Sequence, residues 1–278
     1  MTASNNWKKF PAETIQALFV AVEEDDLVEA NISLPQRIDW HCSLESIRDN
    51  YALCLQFWED GFSRQELLKL VNGFLQDPQL AAATGMRYKY IRARYKHFRF
   101  AQQLYDGQHR ANRLFHTTTA VLGHFQDAFR NGNQKSLQIY GNLLRVLLSR
   151  PVWSYVRYAL RHIHLTSERD FIAYRQTQIG LLRTLIANPQ LTGKQFHEVR
   201  KIISRQVSFY DTLRSIAPDN REARQISRFL AAINGLMGDR HDVMVADKLA
   251  GGDLYDRPTL LDIDIRQRLE LLLSRFPL

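Results

Sequence analysis

Cysteine is scarce in this chain. Cys42 and Cys54 are the only two in 278 residues, and their separation matches no metal-ligand spacing. So sparse a pair argues against a disulfide framework and leads us to expect free, buried thiols in a reducing compartment. Long apolar runs are lacking as well. The N-terminal segment holds one short run, "ALFVAV", closely followed by acids, which does not make a secretory signal. No stretch approaches the roughly 18 uninterrupted apolar residues of a membrane span. A soluble, cytoplasmic protein is expected, without a membrane partner.

Apolar residues make up 45% and charged residues 24%, a globular balance rather than a disordered one. The formal net charge is +8, which favours polyanionic partners. Strand signals are nearly absent, whereas helical periodicity and caps recur. "SRQE" from Ser63 reads as a capping box, in which hydroxyl and carboxylate each satisfy an orphan amide. Its helix should run to Pro78, which lacks an amide hydrogen. Thr84, Ser167 and Thr192 read as further N-caps, and the Ser167 helix should end before Pro189. "RNGN" (130–133), Pro151 and "AGGD" (250–253) read as breaks. The expected class is all-α, with about ten helices. "IDWHCSLESIRDNYALCLQFW" should add a helix packed on the rest.

An internal repeat organises the chain. "LQDPQLAAATGMRYKYIR" (75–92) parallels "IANPQLTGKQFHEVR" (186–200), pairing Arg92 with Arg200. Further on, "TAVLGHFQDAF" (119–129) parallels "NGLMGDRHDVM" (234–244), pairing Gly123 with Gly238 and Asp127 with Asp242. Two matches in the same order predict two related helical halves, about 61–165 and 166–278, within a domain spanning 61–278. Residues 1–60 are expected to form an extension packed on that domain.

The segment "KYIRARYKHFRF" (89–100) joins cations to aromatic rings. On a helix, Lys89, Arg92, Lys96 and Arg99 fall within an arc of roughly 80°. Beside it lies an apolar arc of Tyr88, Ile91, Tyr95 and Phe98, while Arg94 and His97 point elsewhere. Cations one turn apart repel, and partial desolvation adds to the cost. Nearby carboxylates or a bound anion would offset that cost, and phosphate suits Arg and Lys donors. The second copy carries His197 and Arg200, with Lys201 and Arg205 nearby, but Ser204 and Val207 where cations would continue the stripe. The two stripes are expected to line a shared basic groove or pore.

These motifs resemble the CHAD family, the conserved histidine α-helical domain. The resemblance rests on Arg92, Lys96, Arg99 and Phe100 with Gly123 and Asp127 in the first half. In the second it rests on His197 and Arg200 with Gly238 and Asp242. It covers about residues 60–278. Lys89 stands where the first half would carry histidine, and Ser204 and Val207 replace basic positions in the second. The resemblance implies two pseudo-symmetric helical bundles binding inorganic polyphosphate. The expected ligand contacts are Lys89, Arg92, Lys96, Arg99, His197, Arg200, Lys201 and Arg205. Asp127, Asp242 and His241 are expected to orient the site, and association with polyphosphate granules fits the same reading.

Catalysis has little support. A phosphate-binding P-loop, a nucleophile elbow and a two-metal carboxylate cluster are not visible. Nor is the Glu-x-Glu-x-Lys element of the CYTH triphosphatases that accompany some CHAD domains. His162 and His164 diverge by about 200° on a helix, and adjacent His41 and Cys42 cannot easily chelate one ion. No catalytic residue, metal or cofactor is expected. The competing expectations are a single-stranded nucleic-acid-binding module, stacking bases on Tyr88, Tyr90 and Tyr95, and a scaffold for an acidic partner protein of phosphate metabolism. A metal-dependent phosphohydrolase is a third.

Overall fold

A computed structural model describes residues 6–77 and 80–277. Pro78 and Gln79, part of the first repeat motif, lie outside the described residues. The protein is all-α: eleven helices and one two-stranded antiparallel ladder are present among the described residues. Two compact units are present. One comprises the residues through Pro11 with Tyr51–Thr166; the other is Ala12–Asn50 with Ser167–Leu278.

The first unit holds the later part of α2 (Leu44–Glu59), α3 (Arg64–Gln76), α4 (Leu80–Tyr105), α5 (Arg113–Arg130), α6 (Gln134–Leu147) and α7 (Arg150–Arg161). Every residue from Tyr51 to Trp58 is buried, as an all-round apolar helix must be. The Trp58 indole meets Tyr95, Phe98, Phe115 and Trp153 at ring separations of 5.3–5.8 Å. Tyr88, Ile91, Tyr95 and Phe98 are all buried, so the apolar arc of α4 forms core. Arg94 and His97 turn toward α2. The Arg94 guanidinium stacks on Phe57 at 4.0 Å and donates to its carbonyl, and the His97 ring meets Phe57 edge-on.

Local chemistry sets the helix ends. Ser63 and Glu66 form the capping box of α3. Thr192 and Gln195 form another at the helix that starts at Gly193, and Ser167 caps the one that starts at Glu168. Gly132 and Gly251 adopt positive φ in the breaks after Arg130 and Leu249, where a Cβ would be strained. Thr84 differs from expectation: α4 already begins at Leu80. The intervening Ala81–Ala83 are the strongest helix formers and carry the helix past the position where its counterpart Thr192 caps.

The second unit contains α1 (Ala12–Glu23), the start of α2, α8 (Glu168–Ala187), β1 (Gln190–Leu191), α9 (Gly193–Ile216), α10 (Arg221–Leu249), β2 (Thr259–Leu260) and α11 (Ile263–Arg275). Its dominant pairing is α9 with α10, and α1 packs on α9. Glu24, after α1, accepts from Arg228 of α10, and the Asn234 amide donates to the Asp25 carbonyl at 2.8 Å. Cys42 and Cys54 are both buried, and neither forms a disulfide among the described residues. Burial pushes the Cys42 thiol up to about 11.

No helix among the described residues is long and apolar enough to cross a membrane.

Candidate anion-binding site

In the first unit, α4 runs beside α5. Arg92 lies with Nη2 3.3 Å from the point where a Cβ on Gly123 would stand, and its Nη1 donates to Gln126 Oε1 at 3.3 Å. A hydrogen atom at Gly123 lets the planar guanidinium lie against the neighbouring helix. In the second unit, α9 runs beside α10 with the same pairing. Arg200 Nη2 stands 3.0 Å from the corresponding point on Gly238. The two Arg–Gly contacts join residues paired by the sequence repeat, so each unit builds one cationic station in the same way.

The stations differ in their surroundings. Lys89, three residues before Arg92, is exposed and forms no ion pair among the described residues. Lys96 and Arg99 are half-buried, and Arg99 lies over the Phe100 ring at 4.9 Å. His197, three residues before Arg200, stacks on His241 with ring centroids 5.1 Å apart. His241 in turn meets the Tyr255 ring. Burial drives the His197 pKa down to about 4, aided by the positive charge of Lys201. Burial and Arg200 lower that of His241. Both rings are therefore neutral near pH 7. His197 Nδ1 is buried without a hydrogen-bond partner among the described residues.

Not every expected ligand residue joins a station. Lys201 pairs with Glu198 at 2.8 Å, which neutralises it. Arg205 turns to α8, donating to Gln178 Oε1, and burial lowers its pKa. Ser204 donates to Asn234 and Val207 is core, so neither position extends the basic face. Asp127 is exposed and forms no ion pair among the described residues. Asp242 is 85% exposed and, among the described residues, pairs with His241 alone, at 3.9 Å.

One position earlier on each helix, Gln126 rather than Asp127 accepts from Arg92, and His241 rather than Asp242 stacks on His197. Each lies three positions after its glycine and so shares its helix face. That spacing is a readable signal, and it marks Gln126, which sequence reasoning missed, as a candidate site residue. No group of three or more His, Cys, Asp or Glu side chains is placed to hold a metal ion among the described residues.

Comparison with family models, curated proteins and solved structures finds no match to this chain.

Proposed function

We propose that the protein binds inorganic polyphosphate without turning it over, through Arg92 in one unit and Arg200 in the other. The observation that carries this reading is the repeated Arg–Gly contact. In both units a guanidinium lies against a glycine face, and its hydrogen-bond partner, where one is present, is a neutral amide rather than an acid. A phosphate oxygen would supply the missing opposite charge and take paired donors. His197 supports the reading, because its buried Nδ1 has no protein partner among the described residues. Lys89, Lys96 and Arg99 extend the first station along α4. Lys201 and Arg205 play lesser parts, since one is neutralised by Glu198 and the other is engaged at Gln178.

Single-stranded nucleic acid is a poorer fit. Tyr88 and Tyr95 are buried in the core, and the Tyr88 hydroxyl donates to the Leu122 carbonyl, so neither ring offers a stacking face. A polymer long enough to reach both stations gains from local concentration and from release of condensed counterions.

Titration with long-chain polyphosphate at two ionic strengths tests the proposal. Affinity should fall steeply with salt. Arg92→Ala combined with Arg200→Ala should weaken binding and flatten the salt slope by roughly one for each phosphate no longer held. Arg130→Ala combined with Arg224→Ala, at two exposed arginines, serves as the control for net charge. Equal losses from both changes would overturn the assignment.

A further inference from the structure

A second site lies away from these stations, in the first unit. The α4–α5 connection and the end of α7 border a half-open cavity of about 620 Å³, within the range of small-molecule sites. Arg110 and Arg113 stand on its rim, both exposed and without an acid partner among the described residues. The exposed His164 also lines the cavity. Leu160 and Ile163 supply an apolar floor. Asp106 is the one carboxylate in the lining. Its Oδ1 accepts from the Gln108 amide at 2.9 Å, which leaves Oδ2 without a hydrogen-bond partner among the described residues.

The walls are fastened to each other. Asp106 and Leu165 form a β-bridge, Gly107 N donates to the His164 carbonyl at 2.7 Å, and Thr166 N donates to the Tyr105 carbonyl at 2.9 Å. His109 holds a left-handed backbone, φ 52°, which a non-glycine residue adopts only where its surroundings hold it there. Its ring is clamped: Nδ1 donates to the Gln103 carbonyl at 3.1 Å, and Nε2 faces the Thr166 hydroxyl at 3.4 Å. The cavity is thus shaped before any ligand arrives, which lowers the ordering cost of binding.

We propose that this cavity binds a nucleoside monophosphate or a similarly sized phosphorylated metabolite. Arg110 and Arg113 would hold its phosphate, Asp106 would accept from its sugar hydroxyls, and Leu160 and Ile163 would pack against its ring. The three chemistries required, paired cations, one open acceptor and an apolar floor, occur together here. A bare phosphate would use only the first, and a long polyphosphate would be repelled by the carboxylate.

Calorimetric titration of the intact protein with AMP is the test, with inorganic phosphate and long-chain polyphosphate as parallel arms. AMP should saturate. Arg110→Glu with Arg113→Glu should weaken it at least tenfold, and Asp106→Asn should weaken AMP more than phosphate. Arg200→Ala should leave AMP unchanged, which separates this site from the polyphosphate stations. Failure of AMP to saturate at millimolar concentration would overturn the proposal. So would an unchanged Kd in the double arginine variant, or phosphate binding as tightly as AMP.

Discussion

Arg200 lies so close against Gly238 that a single methyl group there would stand 3.0 Å from its Nη2. Gly123 leaves 3.3 Å to Arg92 Nη2. Both glycines are inside helices, where alanine is ordinarily more stable by about 0.5–1 kcal/mol. Gly238→Ala should therefore keep or slightly raise the melting temperature while displacing the guanidinium. We expect weaker polyphosphate binding, with a larger loss for Gly238→Ala than for Gly123→Ala. Melting curves and binding isotherms on both variants check this, and unchanged affinity in both would remove the glycines from the site.

The stacked His197–His241 pair should give the proposed binding a pH dependence. The neighbouring positive charges that face the rings are Arg200 and Lys201 on α9, with Glu198 and Asp242 as the nearby acids. Both imidazoles have folded pKa values below the ordinary value of 6.5. The free protein therefore binds fewer protons here than an unfolded chain between about pH 4 and 6.5, and its stability falls as pH drops through that window. A bound polyanion favours the charged rings, so binding takes up protons. Affinity should rise from pH 7.5 to 5.5, and His197→Asn should flatten the rise. Calorimetry in buffers of different ionisation enthalpy measures the proton uptake directly.

Asp211 titrates in the opposite sense. It is buried in α9, accepts from Ser227 at 2.6 Å and lies 3.3 Å from Arg214 Nε. Burial pushes its pKa up to about 7, against an ordinary 3.8. A raised carboxylate pKa means that the folded state holds the proton more tightly. Stability from this group is lost as pH rises from about 4 to 7, by a few kcal/mol in order of magnitude. Asp211→Asn keeps an acceptor for Ser227 and removes the titration. The variant should melt increasingly above the wild type as pH rises from 5 to 8; a constant offset would refute the buried charge.

The parts of this molecule legible in the sequence are those set by local or repeated chemistry. Ser63, Ser167 and Thr192 cap their helices because each hydroxyl needs only the amide three residues on. Arg92 and Arg200 were legible through their equal offsets in the repeat. The partners of Lys201 and Arg205 depend on more. Glu198, three residues upstream, was visible as an acid on the same face, but Gln178 belongs to another helix. The cavity was not legible, since Arg113 and His164 approach through the pairing of residues 105–107 with 164–166. Such proximity arises from tertiary packing, which periodicity does not encode.

Arg175 gives the sharpest test of packing in the second unit. It is fully buried, with Phe209 4.3 Å and Tyr210 5.4 Å from its guanidinium carbon, and Trp40 and Phe171 slightly farther away. It forms no salt bridge among the described residues. Gln206 Oε1 and the Tyr210 hydroxyl accept from its Nη2 at 3.0 Å each, while Nη1 has no partner among those residues. The charge is thus held by ring faces and neutral acceptors, an arrangement suited to a weakly hydrated planar cation. Lysine would bring a more strongly hydrated point charge into the same space and could not reproduce the fork. Methionine would fill much of that volume with no charge to desolvate. Arg175→Lys should therefore melt below Arg175→Met, and Arg175→Ala, which leaves a cavity, should lose several kcal/mol. Chemical denaturation of the three variants ranks them, and a lysine variant as stable as wild type would show that the ring faces and fork contribute nothing specific.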